Sequence, residues 1–130
     1  MRTEHWDVVH AYDSSLLGWL VLVCREHRSS LADLTESEAA ALGPLVRSVS
    51  IALPDVCGCE KTYMAQFAEH PEHPHVHVHV VARRPSLPPE RRGPNVFAEL
   101  GVADDLRVSE AAMNELAAGL RSHRLLRDHL

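Results

Sequence analysis

Apolar and polar positions alternate most sharply where histidine and valine take turns, His75-Val76-His77-Val78-His79-Val80-Val81. A period of two belongs to a strand, so this run predicts one with Val76, Val78 and Val80 turned into a core. His75, His77 and His79 then share the opposite face, with same-face neighbours about 7 Å apart. Gly18 to Cys24 is apolar without alternation, which predicts a central strand covered on both faces. Asp7 to Tyr12, followed by the turn residues Asp13-Ser14-Ser15, predicts a third strand, and Lys61 to Ala68 a fourth. Thr35 and Glu38 have capping-box spacing ahead of Leu42, Leu45, Val46, Val49 and Leu53, which recur at helical intervals. A long helix is predicted there, kinked or started late at Gly43-Pro44. A second helix is predicted behind Ser109, with Met113, Leu116, Ala117 and Leu120 on its apolar face and Arg121, Arg124 and Arg127 near its C-terminal end. Pro85, Pro88, Pro89 and Pro94 predict an extended arm between the histidine strand and that helix. The fold class is α+β, an antiparallel sheet of about five strands with two main helices.

Composition narrows the picture. A chain of 130 residues, 45% hydrophobic and 24% charged, fits one packed domain spanning 1–130 and excludes wholesale disorder. Thirteen basic against eighteen acidic residues give a formal charge of -5, which argues against nucleic-acid binding by bulk positive charge. The longest apolar run, Leu16 to Cys24, is too short for a membrane span, and no signal peptide is visible. Three cysteines, Cys24, Cys57 and Cys59, fit ordinary thiols in a reducing compartment, so a cytoplasmic location without a membrane partner is expected.

The unusual count is ten histidines, five of them between His70 and His79. Two chemistries suit three imidazoles on one strand face. They can ligate zinc, with further donors from His70, Glu72 and His73. Alternatively, a neutral imidazole can attack a phosphoryl centre and later be displaced by water, while its neighbours fix its tautomer and stabilise charge. Spacing alone leaves both open.

The pattern at 75–81 resembles the signature of the histidine triad (HIT) family of nucleotide hydrolases and transferases. Gly18 to His27 is similar to that family's upstream strand, Leu31 to Thr35 to the lead-in to its long helix, and the order of elements agrees over about residues 7–83. Residues 84–130, the proline-rich arm and second helix, are a less specific extension. The resemblance implies a HIT-like fold, a homodimer, and hydrolysis or transfer at the α-phosphate of a nucleotide or dinucleotide, with no metal and no cofactor required. It makes His77 the nucleophile, His75 its orienting neighbour through the backbone carbonyl, and His79 a group that contacts or positions the phosphate. Gln66 would take over hydrogen bonds of a family asparagine, Arg83 would clamp outer phosphates, and Trp19 would border the pocket. Trp19 stands where the family usually has a histidine, and the stretch from Gln66 to Pro74 lacks the family's glycine. A nucleotide-binding protein without turnover and a metal-binding histidine strand are the alternatives.

Overall fold

The computed structural model describes all 130 residues. Its sheet has four strands, β1 (Trp6–His10), β2 (Trp19–Cys24), β3 (Lys61–Gln66) and β4 (His77–Arg83), in the order β1-β2-β4-β3 and antiparallel throughout. Trp19 to Cys24 lies inside the sheet, as its unbroken apolar run predicts. The sheet thus has four strands where about five are expected, and the proline arm, expected to be extended, folds into short 3-10 turns, chiefly Pro89–Arg91 and Gly93–Glu99.

Helix α1 (Glu36–Cys57) starts behind Thr35, whose hydroxyl accepts from the Glu38 amide while the Glu38 carboxylate accepts from the Thr35 amide, a complete capping box. It does not start late: it runs through both Pro44 and Pro54. Each proline removes one helical hydrogen bond, and each lies on the exposed side where water can replace it. Gly58 ends the helix in the left-handed region (φ 69°), with its amide on the Pro54 carbonyl. The length and hydropathy of α1 match those of a membrane span, and its apolar side packs on the sheet.

That packing forms the main core. Val8, Leu20, Leu22, Val76, Val78, Val80 and Ala82 meet Leu45, Val49, Ala52 and Leu53 of α1. Leu116 and Leu120 of α2 (Glu110–Ser122) and Leu126 of α3 (Arg124–Arg127) close it. The C-terminal third therefore shares the core of the histidine strand. Ser109 caps α2 by accepting from the Ala112 amide, and the arginines expected at one helix end are divided between α2 and α3.

A second, smaller cluster covers the other face of the sheet. Ala11, Trp19 and Val81 pack there against Leu87 and Val96 of the proline arm, with Phe97, Leu100 and Tyr63 at its edge. The arm is therefore not extended away from the domain; it folds back over part of the histidine face.

Candidate active site

β4 delivers the histidines as the alternation requires: Val76, Val78 and Val80 have no exposed surface, while His77 and His79 stand on the opposite face. His75 departs from the expected row. It precedes β4, and its ring turns towards the segment after β2. The Arg28 amide donates to His75 Nδ1 (3.2 Å), so the ring proton sits on Nε2 and is donated to the Cys24 carbonyl (2.6 Å). The exposed His27 stacks on this ring, centroids 5.1 Å apart. Arg28 is itself held by a bidentate ion pair to the buried Glu38 (2.9 and 3.0 Å). That guanidinium and the Thr35 amide hold the Glu38 carboxyl at about 2. The capping box of α1 thus reaches, through Arg28, to His75.

His77 is half-buried, and its Nδ1 donates to the His75 carbonyl at 2.7 Å. A carbonyl only accepts, so the neutral ring carries its proton on Nδ1 and leaves an unprotonated Nε2. His79 is 7% exposed and has the opposite tautomer. Its Nδ1 accepts from the Trp19 indole N–H (3.1 Å), which places the ring proton on Nε2. Burial, followed by repulsion from His77, pushes the His79 pKa down to about 4; Asp13 opposes the shift. The His77 and His79 rings meet edge to face with centroids 5.0 Å apart, and Phe97 packs edge-on to His79 at 5.2 Å. The exposed Phe67 extends that aromatic wall from Phe97 (5.6 Å).

The three residues expected to bind substrate are placed otherwise. Trp19 has no exposed surface, so it meets no base; it acts on His79 from behind. Gln66 pairs with Val78, and cross-strand partners share a face, so its amide lies on the valine side. Ala65 is the β3 residue opposite His79, while Gln66 Nε2 is buried without a partner. Arg83 is at the far end of β4, about 20 Å from His77 by strand rise. It is paired there with Glu60 (3.1 Å) rather than poised for phosphate.

The ring nitrogens of His75, His77 and His79 are divided among separate partners and do not gather as a chelate. The three-donor cluster lies upstream, in His70, Glu72 and His73, exposed and with ligand atoms within 4.8 Å of one another. A cleft of about 440 Å³ opens on the helix side beside Asp55, Cys57, Arg84 and Glu115, and no histidine of β4 lines it. Cys57 and Cys59 are buried, and burial raises both thiols, Cys59 to about 11, which fits inert thiols. Sequence reasoning missed the Arg28–Glu38 support, the His27 stack and Phe97. Only the apolar pair Val96-Phe97 inside a polar, proline-rich arm signalled any of them.

No family model and no curated protein matches the chain. Solved structures do. A histidine triad protein from Bradyrhizobium japonicum is 25% identical with a TM-score of 0.75, over 92% of this chain and 84% of that one. A histidine triad protein from Marinobacter aquaeolei is 20% identical at a TM-score of 0.75, over 99% and 88%. A hypothetical histidine triad nucleotide-binding protein from Sulfolobus tokodaii is 15% identical at 0.68, over 98% and 82%.

Proposed function

From a chain that belongs to the histidine triad family, by the fold it shares with those structures and by its His75-to-Val81 strand, we propose a nucleotide phosphohydrolase or nucleotidyl transferase acting through His77. The observation that carries this reading is where the ring protons sit. Both ring nitrogens of His75 are engaged by backbone groups, and His79 has one nitrogen capped by Trp19 and the other protonated. His77 alone offers an unprotonated Nε2, with its proton held on the far side of the ring by a carbonyl. Nε2 attacks the α-phosphorus of a nucleotide, the leaving group departs, and a nucleotidyl-His77 intermediate forms. Water then displaces the imidazole and releases a nucleoside monophosphate. The His75 carbonyl supports the positive charge that the ring gains, and the His79 Nε2–H donates to a phosphoryl oxygen. The aromatic surface of Phe67 and Phe97 suits the flat, apolar part of such a substrate.

The chain's cysteines are all free thiols, which fits the cytoplasm. The active species in this reading is a homodimer; Met64, exposed on the edge strand β3, supplies apolar surface for a second copy.

Single-turnover reactions of wild type and His77→Ala with α-labelled diadenosine polyphosphates and a nucleotidyl sulfate test the proposal. Acid-labile label on wild type and none on the variant is expected, with binding retained by the variant. Binding by wild type without label or product would replace the enzyme by a nucleotide-binding protein.

A further inference from the structure

Trp19 and His79 are linked across two strands in a way the proposed reaction does not require. Trp19 is fully buried on β2, and the one polar atom of its side chain donates to His79 Nδ1 at 3.1 Å. An indole N–H can donate but cannot accept or release a proton at any ordinary pH. No water reaches the bond to compete, since the indole has no exposed surface. The ring is further held by edge contacts to Trp19 itself (5.9 Å), Phe97 and His77. The charged or titratable groups that act on it are His77 from the same strand and Asp13 from the turn after β1.

We infer that Trp19 is a positioning residue that locks His79 as an Nε2–H hydrogen-bond donor unable to pass on a proton, so that the site accepts nucleotidyl esters and anhydrides whose leaving groups depart as stable anions. The inference rests on the proposed chemistry at His77. In the first step a bond forms between His77 Nε2 and the α-phosphorus while the phosphorus–oxygen bond to the leaving group breaks. The electron pair leaves on that oxygen, and no protein proton goes with it. His77 keeps its Nδ1 proton and delocalises the positive charge. In the second step water forms a bond to phosphorus, the phosphorus–nitrogen bond breaks, its electron pair returns to His77 Nε2, and the water proton passes to solvent. For His79 to act as a general acid it would need a second ring proton, and the only place for it is Nδ1, opposite an N–H that cannot turn into an acceptor. The depressed basicity of the buried ring works in the same direction.

Two measurements test this. Two-bond ¹H–¹⁵N NMR of the histidine rings in wild type reads the tautomer directly, without turnover. An unprotonated Nδ1 and a protonated Nε2 for His79 are expected down to pH 5. Trp19→Phe, which keeps the ring and loses the N–H, should give averaged shifts from two tautomers, with kcat reduced and KM unchanged. Observation of the Nδ1–H tautomer in wild type, or an unchanged tautomer in Trp19→Phe, overturns the lock. The second measurement is a series of nucleoside monophosphate esters running from nitrophenyl through phenyl to alkyl. With no acid to assist the poorer leaving groups, the alkyl end forgoes the about 10²–10⁴-fold that a general acid supplies, so kcat/KM should fall by at least that much from the nitrophenyl to the alkyl end, beyond any difference in binding. A flat series means that a proton is supplied, and overturns the inference. If no ester reacts while NMR still shows the Nε2–H tautomer, the lock stands and the nucleotidyl-transfer reading falls.

Discussion

Replacing His75 by alanine separates what its ring does from what its backbone does. The ring makes two hydrogen bonds, accepting from the Arg28 amide and donating to the Cys24 carbonyl, and so joins the start of β4 to the segment leaving β2. Two net hydrogen bonds at about 0.5–1.5 kcal/mol each put the loss at about 1–3 kcal/mol. The stack on His27 adds little to that figure, because His27 is exposed. By contrast, the hydrogen bond that orients His77 comes from the main-chain carbonyl of residue 75, which alanine also has. His75→Ala should therefore unfold at lower urea, with an unchanged m-value and a free energy reduced by about 1–3 kcal/mol. Its single-turnover rate, measured where the variant is still folded, should stay within about tenfold of wild type, a barrier change of about 1.4 kcal/mol. His77→Ala should show the reverse, near-native stability and no trapped label. A folded His75→Ala as inactive as His77→Ala would refute the reasoning, since the ring rather than the carbonyl would then serve the reaction.

Other perturbations act on the surroundings of the same strand. Gly18 has φ +90°, and a Cβ there would stand 2.7 Å from the Ala82 Cβ and 3.3 Å from the Cys57 sulfur. Backbone strain and overpacking together should cost Gly18→Ala about 2–5 kcal/mol, read from urea unfolding; a loss under about 1 kcal/mol would mean the turn relaxes freely. Phe97→Ala admits water beside His79, whose depressed pKa is due first to burial, so NMR titration should find it raised from about 4 towards the ordinary 6.5. An unmoved titration would place the cause elsewhere. The folded-state pKa values of His79 and His10 both lie below the unfolded one, so between pH 6.5 and about 4 the unfolded chain binds more protons. Stability should fall as pH drops through that window, and His79→Gln should flatten part of the slope; an equal slope in the variant would contradict the assignment.

Signals carried by neighbouring residues were legible in the sequence. The period-two alternation placed Val76, Val78 and Val80 in the core, and Thr35 and Ser109 marked both helix starts, because a strand's faces and a helix's caps are decided within a few residues. What the sequence hid depends on partners far along the chain. Trp19 reads as a possible pocket wall until β2 is registered on β4, which sets it against Val81 and aims its indole at a residue 60 positions away. Gln66 shows how sharp that dependence is. A shift of one residue would bring it opposite His79, yet the actual register gives that place to Ala65 and sends the amide to the other face. His75 fits the alternation by sequence, but it lies before the first residue of β4, so its ring answers to the Arg28 and Cys24 backbone rather than to the strand's faces.

The histidine face is finished by residues outside the motif that marks it. His79 owes its dry surroundings to Phe97, and Phe97 is held in place by the way the arm is pinned. Val96 is buried beside Leu87, Arg92 ties down the Leu87 and Pro85 carbonyls, and Glu99 is gripped by both Arg91 and Ser15. None of these groups touches His77. They nevertheless decide how much water reaches the ring beside it, and thus whether that ring stays neutral. A change anywhere along the pinned segment can therefore retune the His79 donor while the histidine–valine strand stays untouched, and the arm joins the three histidines as a determinant of what the site can do.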